Sequence, residues 1–234
     1  MKLIDDITNE PLAVLLIGPP GSGKTTYALQ FPDVWVADCD NNLAGPVRYL
    51  KSVGKFKPFK ADSIQFDDDG KPITPAQSWE RLVTKTQEAL KSPDIKTIII
   101  DSLTHVDRIL LVWCMEKLRK ATPEFDVWNM FKLRLYDYLV KIRSGGKSVI
   151  VICHEKIEYD KNGSIDKFVP AVSTNLKDYF GYLFTDVWRS ELHLVGGKYE
   201  HNIRVTPTAL HDLKNSLLLT NTINSEELLW KTIK

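Results

Sequence analysis

The stretch Gly18-Pro19-Pro20-Gly21-Ser22-Gly23-Lys24-Thr25-Thr26 constrains this chain more than any other part of it, because its residue types answer the separate needs of a bound phosphate. Glycines at 18, 21 and 23 let backbone N–H groups turn inward without Cβ clashes. An apolar run, Leu12 to Ile17, precedes the loop, and a helix-like segment, Thr26 to Gln30, follows it, so the positive end of a helix dipole points at the same anion. Lys24 is then placed for the β- and γ-phosphates of a nucleoside triphosphate and the Thr25 hydroxyl for Mg²⁺. The competing reading is a Gly/Pro-rich turn with an accidental lysine. It gives no reason for the strand and helix on either side. ATP and Mg²⁺ are the expected ligands.

Composition narrows the class further. With 234 residues the chain is long enough for one α/β domain, or one domain with a small appendage, enclosing a substantial core. Lys plus Arg number 31 against 30 Asp plus Glu, so there is no overall pull toward nucleic acid or membrane, and any polyanion site is a local patch. Cys39, Cys114 and Cys153 are widely spaced with no CxxC pair, which disfavours both a disulfide framework and a zinc site and predicts a reducing cytoplasm. Met1 to Pro11 carries Asp5, Asp6 and Glu10 and reads unlike a signal peptide. No apolar run approaches the roughly 20 residues that span a bilayer, so no membrane partner is expected.

Strand-like and helix-like segments alternate. Buried strands are predicted at Leu12 to Ile17, Val34 to Ala37, Thr97 to Ile100 and Ser148 to Cys153, and helices at Leu43 to Ser52, Pro75 to Lys91, Leu103 to Lys120 and Val127 to Arg143. In the last helix Trp128, Phe131, Leu135, Tyr138, Leu139 and Ile142 recur at intervals of three and four, the mark of one buried face. Beyond His154 the texture changes. Asn162-Gly163 between two short alternating runs predicts a hairpin or a protruding loop, followed by a helix (Asn175 to Leu183), a strand (Asp186 to Arg189), a second hairpin at Gly196-Gly197 and a terminal helix (Ser225 to Thr232). Asp67-Asp68-Asp69-Gly70 reads as a solvated turn. The expected fold is α/β: a mostly parallel sheet flanked by helices, with antiparallel strands added at the C-terminal side, in a single domain with its core at about 12–219.

Three further motifs fall at predicted strand ends. Asp101, after Thr97-Ile98-Ile99-Ile100, is placed to hold Mg²⁺ with Thr25, the alternative being an N-cap for the next helix. Asp40, with Asp38 as the weaker choice, is the candidate for orienting the water that attacks a γ-phosphate; local capping is its alternative. His154 is placed to sense that phosphate at the root of the following hairpin, unless it is simply a strand-end histidine bonded to a carbonyl.

In series, the phosphate loop, Val36-Ala37-Asp38-Cys39-Asp40, Ile98-Ile99-Ile100-Asp101-Ser102 and Val151-Ile152-Cys153-His154-Glu155-Lys156 resemble the ATPase core of RecA-like recombinases. They are most similar to the short phage-encoded RecA-like ATPases associated with single-strand annealing. The resemblance implies a homo-oligomer, ring or filament, with ATP between protomers. It also implies single-stranded DNA as ligand, a single-strand binding or annealing protein as possible company, and, for a phage-encoded chain, the cytoplasm of a bacterial host. In that family a Glu stands where this chain has Asp40, and a Gln commonly stands at His154. The DNA-contacting loop maps onto Lys156 to Phe168. Within it Lys156, Tyr159, Lys161, Lys167 and Phe168 mix basic and aromatic groups, which suits a single strand with stacked bases, although Glu155, Glu158, Asp160 and Asp166 make the segment nearly neutral. Lys177 and a second basic run, Lys117, Arg119 and Lys120, extend the candidate surface. Related ATPases also place a finger from the neighbouring subunit on the γ-phosphate near a Lys-Asn-Arg sequence; Leu213-Lys214-Asn215-Ser216 is similar without the arginine, making Lys214 the in-trans candidate. The recombinases proper carry an extra domain for which this chain has no room. An AAA+ type ATPase acting on DNA or protein is the first rival, although Asn202 to Lys234 reads as too short and too extended for a helical lid. A small-molecule kinase would want an arginine-rich lid. A nucleotide-gated interaction module with little hydrolysis is the remaining rival.

Overall fold

The computed structural model describes residues 11–173, 182–217 and 222–224. Lys177, the terminal helix expected at Ser225 to Thr232 and most of the helix expected at Asn175 to Leu183 lie outside the described residues. Parallel strands covered by helices on both faces must be apolar throughout, and β1 (Ala13–Gly18), β2 (Val34–Asp38) and β4 (Thr97–Asp101) are buried at every position. With β3 (Lys60–Ser63), β5 (Ser148–Tyr159) and β7 (Asp186–Val195) they form the parallel part of a sheet ordered β3-β2-β4-β5-β1-β7. Antiparallel β8 (Lys198–Arg204) and β9 (Thr222–Asn224) extend it beyond β7, and β6 (Ile165–Pro170) folds back on β5. This is the expected α/β arrangement, a mostly parallel sheet flanked by helices with antiparallel strands added at the C-terminal side.

The helices follow local signals. α3 (Pro75–Lys91) opens with a reciprocal capping box, in which Gln77 N–H donates to Thr74 Oγ1 at 3.2 Å and Thr74 N–H to Gln77 Oε1 at 2.9 Å, with Pro75 in the first turn. α4 (Leu103–Leu118) is capped by Ser102, and α5 (Phe125–Arg143) buries Val127, Phe131, Leu135 and Leu139 at helical spacing. Val127 takes the buried place expected of Trp128, which is half-buried. The Thr86 and Tyr138 hydroxyls meet at 3.0 Å between α3 and α5. These three helices cover one face of the sheet. Short α1 (Lys24–Ala28) and α2 (Ala44–Ser52) cover the other, where Tyr27 and Phe31 pack on Val14, Leu16 and Trp188. Gly146, at φ 73, ends the α5 connection in the left-handed region, and Asp67 Oδ1 accepts from Asp69 and Lys71 N–H in the expected turn.

Other expectations differ from the structure: the strand expected at Asp186 to Arg189 runs on to Val195. β3 was not foreseen, because an edge strand of sequence Lys-Ala-Asp-Ser carries no apolar pattern. β5 does not stop at Cys153 but runs on as one strand to Tyr159, so the hairpin is its direct continuation. All three cysteines are free and buried. Burial raises the Cys114 thiol to about 11 and the Cys153 thiol to about 12, and pushes Cys39 well above its usual value. No described helix is long and apolar enough to cross a membrane.

Phe131 is fully buried at the centre of the α3–α5 layer. Phe131→Ala is expected to cost about 3–5 kcal/mol of stability, read as a lower midpoint in urea unfolding with little change in slope.

Candidate nucleotide site

Register brings the four motifs to one sheet edge. Gly18 pairs with His154, and Asp38 with Asp101, so the loop after β1 and the ends of β2, β4 and β5 converge. The phosphate loop is held open by its glycines, with Gly21 at φ 77 and Gly23 at φ 91. Gly23 also admits a neighbour: a Cβ there would stand 2.8 Å from His201 Nδ1. His201 Nδ1 lies 2.9 Å from Ser22 O, and the Ser190 hydroxyl donates to the same carbonyl at 2.6 Å. Lys24, only 5 % exposed, folds back on its own loop and donates to the carbonyls of Gly18 and Pro19, both at 2.8 Å. Burial lowers its ammonium to about 8 against the raising influence of Asp101 and other anions.

The Thr25 hydroxyl donates to Asp101 Oδ2 at 2.6 Å. A hydroxyl and a carboxylate oxygen in contact, facing the loop that would present phosphates, form the kind of hard oxygen set that suits Mg²⁺. Among the described residues there is no group of three or more His, Cys, Asp or Glu side chains that could hold a metal. Burial raises the Asp101 carboxyl to about 6, against the lowering bond from Thr25. Asp101 is not the cap of α4: Ser102 Oγ accepts from His105 N–H at 3.4 Å.

Asp40 is carried to Asp101 by the backbone. The N–H groups of Cys39 and Asp40 both donate to Asp101 O, at 2.6 and 3.2 Å. Its Oδ1 accepts from the Ser102 hydroxyl at 3.2 Å, and Oδ2 lies 3.6 Å from His154 Nε2, an ion-pair distance. His105 Nδ1 stands 3.8 Å from Oδ1 on the other side. Burial pushes the Asp40 carboxyl up, but His154, Ser102 and His105 together hold it below its usual range. Local capping falls to Asp38, whose Oδ1 accepts from Asn42 N–H at 3.2 Å, which leaves Asp40 facing the cavity. That cavity, of about 350 Å³, runs from Lys24 and Thr25 along α1 to Gly45, Pro46 and Tyr49 on α2. Its size suits a small ligand, with polar groups at one end and an exposed aromatic at the other.

The DNA candidates are treated unequally by the fold. Tyr159, 61 % exposed, and the exposed Lys161 sit at the hairpin tip. Lys156 Nζ donates to Val172 O at 3.3 Å, Lys167 pairs with Asp212 at 2.8 Å, and Phe168 stacks on His211 with ring centroids 4.9 Å apart. The second basic run is largely neutralised, Lys117 by Glu80 and Lys120 by Glu124 and Asp126. Lys214 is engaged within its own chain: its ammonium donates to Phe184 O at 3.1 Å, and its backbone pairs with Val187 on β7. Ser216, where the related finger sequence has arginine, donates from N–H and hydroxyl to the buried Asp186. His105, Ser190 and His201 are the site residues that sequence reasoning missed. Ser190 and His201 reach the loop from 168 and 179 residues away, and no local signal marks them.

Residues 10–217 match a family model described as an AAA domain. A search of curated proteins finds no match. Among solved structures, a KaiC-like protein from the archaeon Pyrococcus horikoshii is similar at 14 % identity and a TM-score of 0.45, over 88 % of this chain and 82 % of that one.

A lysine titrating near 8 has a directional consequence for anion binding. Above that value Lys24 loses its charge in the free protein, so affinity for a fluorescent ATP analogue is expected to fall as pH rises from 7 to 9, with proton uptake on binding at the upper end. Unchanged affinity over that range would show that Lys24 keeps its charge up to pH 9 in the free protein.

Proposed function

The chain belongs to the AAA-domain family, and from that premise we propose that it is a magnesium-dependent ATPase that uses nucleotide state to control its hold on single-stranded DNA during recombination, annealing or repair. The contact that carries the ATPase part is Thr25 Oγ1 to Asp101 Oδ2, with Asp40 held beside it between two histidines. In this reading Lys24 leaves the carbonyls of Gly18 and Pro19 for the β- and γ-phosphates, and loop N–H groups take the remaining oxygens. Thr25 and Asp101 would hold the ion, which would supply positive charge to offset that on the phosphoryl group. Asp40, ionised and fixed from both sides, orients the attacking water, with a shorter reach than a glutamate. Tyr49 and Pro46 offer a face for the base at the far end of the cavity.

The DNA part rests on the continuity of β5, which passes as one strand from His154 beside Asp40 to Tyr159 at the hairpin tip, with a register shift against β6 only between Glu158 and Tyr159. A stiff strand rooted at the γ-phosphate position moves its tip when its root moves. Tyr159 and Lys161 are then the first contacts, one for stacking and one for backbone charge, while Lys167 exchanges Asp212 for phosphate. The protein acts as a homo-oligomer whose neighbouring copy completes each ATP site, in the cytoplasm, of a bacterial host if it is phage-encoded. Lys214 serves as that neighbour's finger only if it gives up its bond to Phe184 O.

Three variants separate the roles. Lys24→Ala is expected to abolish phosphate release in a folded protein; Asp40→Asn to keep Mg·ATP binding but lose about 10²-fold or more in turnover; and Asp101→Asn to shift the magnesium dependence as well. Turnover at the wild-type rate in Asp40→Asn would place the water-orienting group elsewhere. For DNA, single-strand affinity at fixed salt is expected to rise with a non-hydrolysable analogue, to fall with added salt, and to drop in the Tyr159→Ala Lys161→Ala double variant. Equal affinity in the apo, ADP and analogue states would favour an AAA-type ATPase acting on protein, or an interaction module.

A further inference from the structure

Successive residues of a strand point to opposite faces, and β7 uses this to touch two functional elements with neighbouring residues. Ser190 lies on the α1 face with Trp188, where its hydroxyl holds Ser22 O and its own carbonyl stands 2.5 Å from where a Cβ on Gly18 would be. Arg189 lies on the opposite face. Its Nε and Nη2 donate to the two oxygens of Glu155, both at 2.8 Å, and Nη1 donates to Glu191 at 2.7 Å. The guanidinium also lies 5.1 Å from the centroid of the Phe168 ring. Glu155 follows His154 on β5, and Phe168 is opposite Ile157 on β6, so one side chain fastens both strands of the hairpin at their root. Arg204 in turn donates to both oxygens of Glu191 from β8, whose His201 meets Ser22 O on the other face.

We propose that β7 is a mechanical link between the phosphate loop and the β5–β6 hairpin, with Arg189 as the positioning residue that carries nucleotide-dependent movement of the loop to the hairpin root. The physical basis is that each attachment resists slipping. Ser190 and Arg189 share a peptide bond, so the loop and the hairpin root cannot shift independently along β7. The Arg189–Glu155 pair is doubly bonded and partly buried, with side chains 14 % and 6 % exposed. Separating its partners would leave a charge without compensation in a poorly solvated place, so the unit moves whole. Lysine at 189 keeps the charge but lacks the fork that holds Glu155 and Glu191 together. The link rests on the proposed ATPase reading for its input, since nucleotide must bind at the loop. It does not require that the hairpin bind DNA.

Hydrogen exchange of the backbone amides across 155–170, measured on the full chain with and without a non-hydrolysable ATP analogue, tests it. In the wild type, analogue binding is expected to change protection across the hairpin. Arg189→Lys is expected to bind the analogue with wild-type affinity and to lose that change. Glu155→Gln, which removes the charged acceptor of the fork and leaves Arg189 on Glu191, is expected to lose it as well, and serves as the deciding variant if Arg189→Lys does not fold. A hairpin that responds fully to nucleotide in Arg189→Lys, or in Glu155→Gln where that variant decides, overturns the link; so does a wild-type protein that binds the analogue with no response in the hairpin. A hairpin that responds through Arg189 while DNA affinity stays constant sustains the link and defeats the DNA reading.

Discussion

Pairing at the centre of the sheet decides where the chemistry lies. β4 and β5 pair in parallel from Thr97↔Ser148 to Asp101↔Ile152, and β5 continues alongside β1 until Gly18 faces His154. Parallel strands end at the same edge, so this register alone brings the loop, the Thr25–Asp101 contact and the histidine together. A shift of one residue would turn each strand's buried side chains to the opposite helix layer. Two helix layers of unlike size make such a shift costly. Large residues such as Phe131 and Leu135 wait on one face, and Tyr27 and Trp188 on the other.

Much of this was legible in the sequence, for reasons that can be named. The phosphate loop is a local motif whose strand and helix adjoin it, and α3 announces itself through Thr74, Pro75 and Gln77 within four residues. Asp101 and His154 were legible because each ends a fully apolar run, and a polar residue there has to lie at the sheet edge. β3 was hidden because its side chains have no core to face. The length of β5 was hidden because a strand that leaves a parallel sheet to enter a hairpin needs no turn residue at the crossing. Lys167 and Phe168 read as free ligands for DNA, yet their partners Asp212 and His211 lie more than 40 residues on. No pattern within the hairpin discloses that.

The charged cluster on β7 illustrates a different limit. Glu155, Arg189, Glu191 and Arg204 are scattered through an ordinary charge pattern, and only the fold collects them. Burial pushes Glu191 up, but bonds from Arg204, His193 and Arg189 outweigh it and hold the carboxyl at about 2. Such a cluster adds little net stability over an apolar core, while removal of one member leaves its partner's charge uncompensated. Its value here is geometric, since it fixes β5, β7 and β8 to one another beside the phosphate loop.

The buried cysteines have a practical meaning beyond stability. Thiolate, not thiol, reacts with alkylating dyes and oxidants, and three thiols that are shielded from solvent and pushed above their usual range by burial supply almost none of it near neutrality. The native chain therefore offers a chemically silent background. A single thiol introduced at an exposed position such as the hairpin tip would carry a probe alone, without the removal of any natural cysteine from the core.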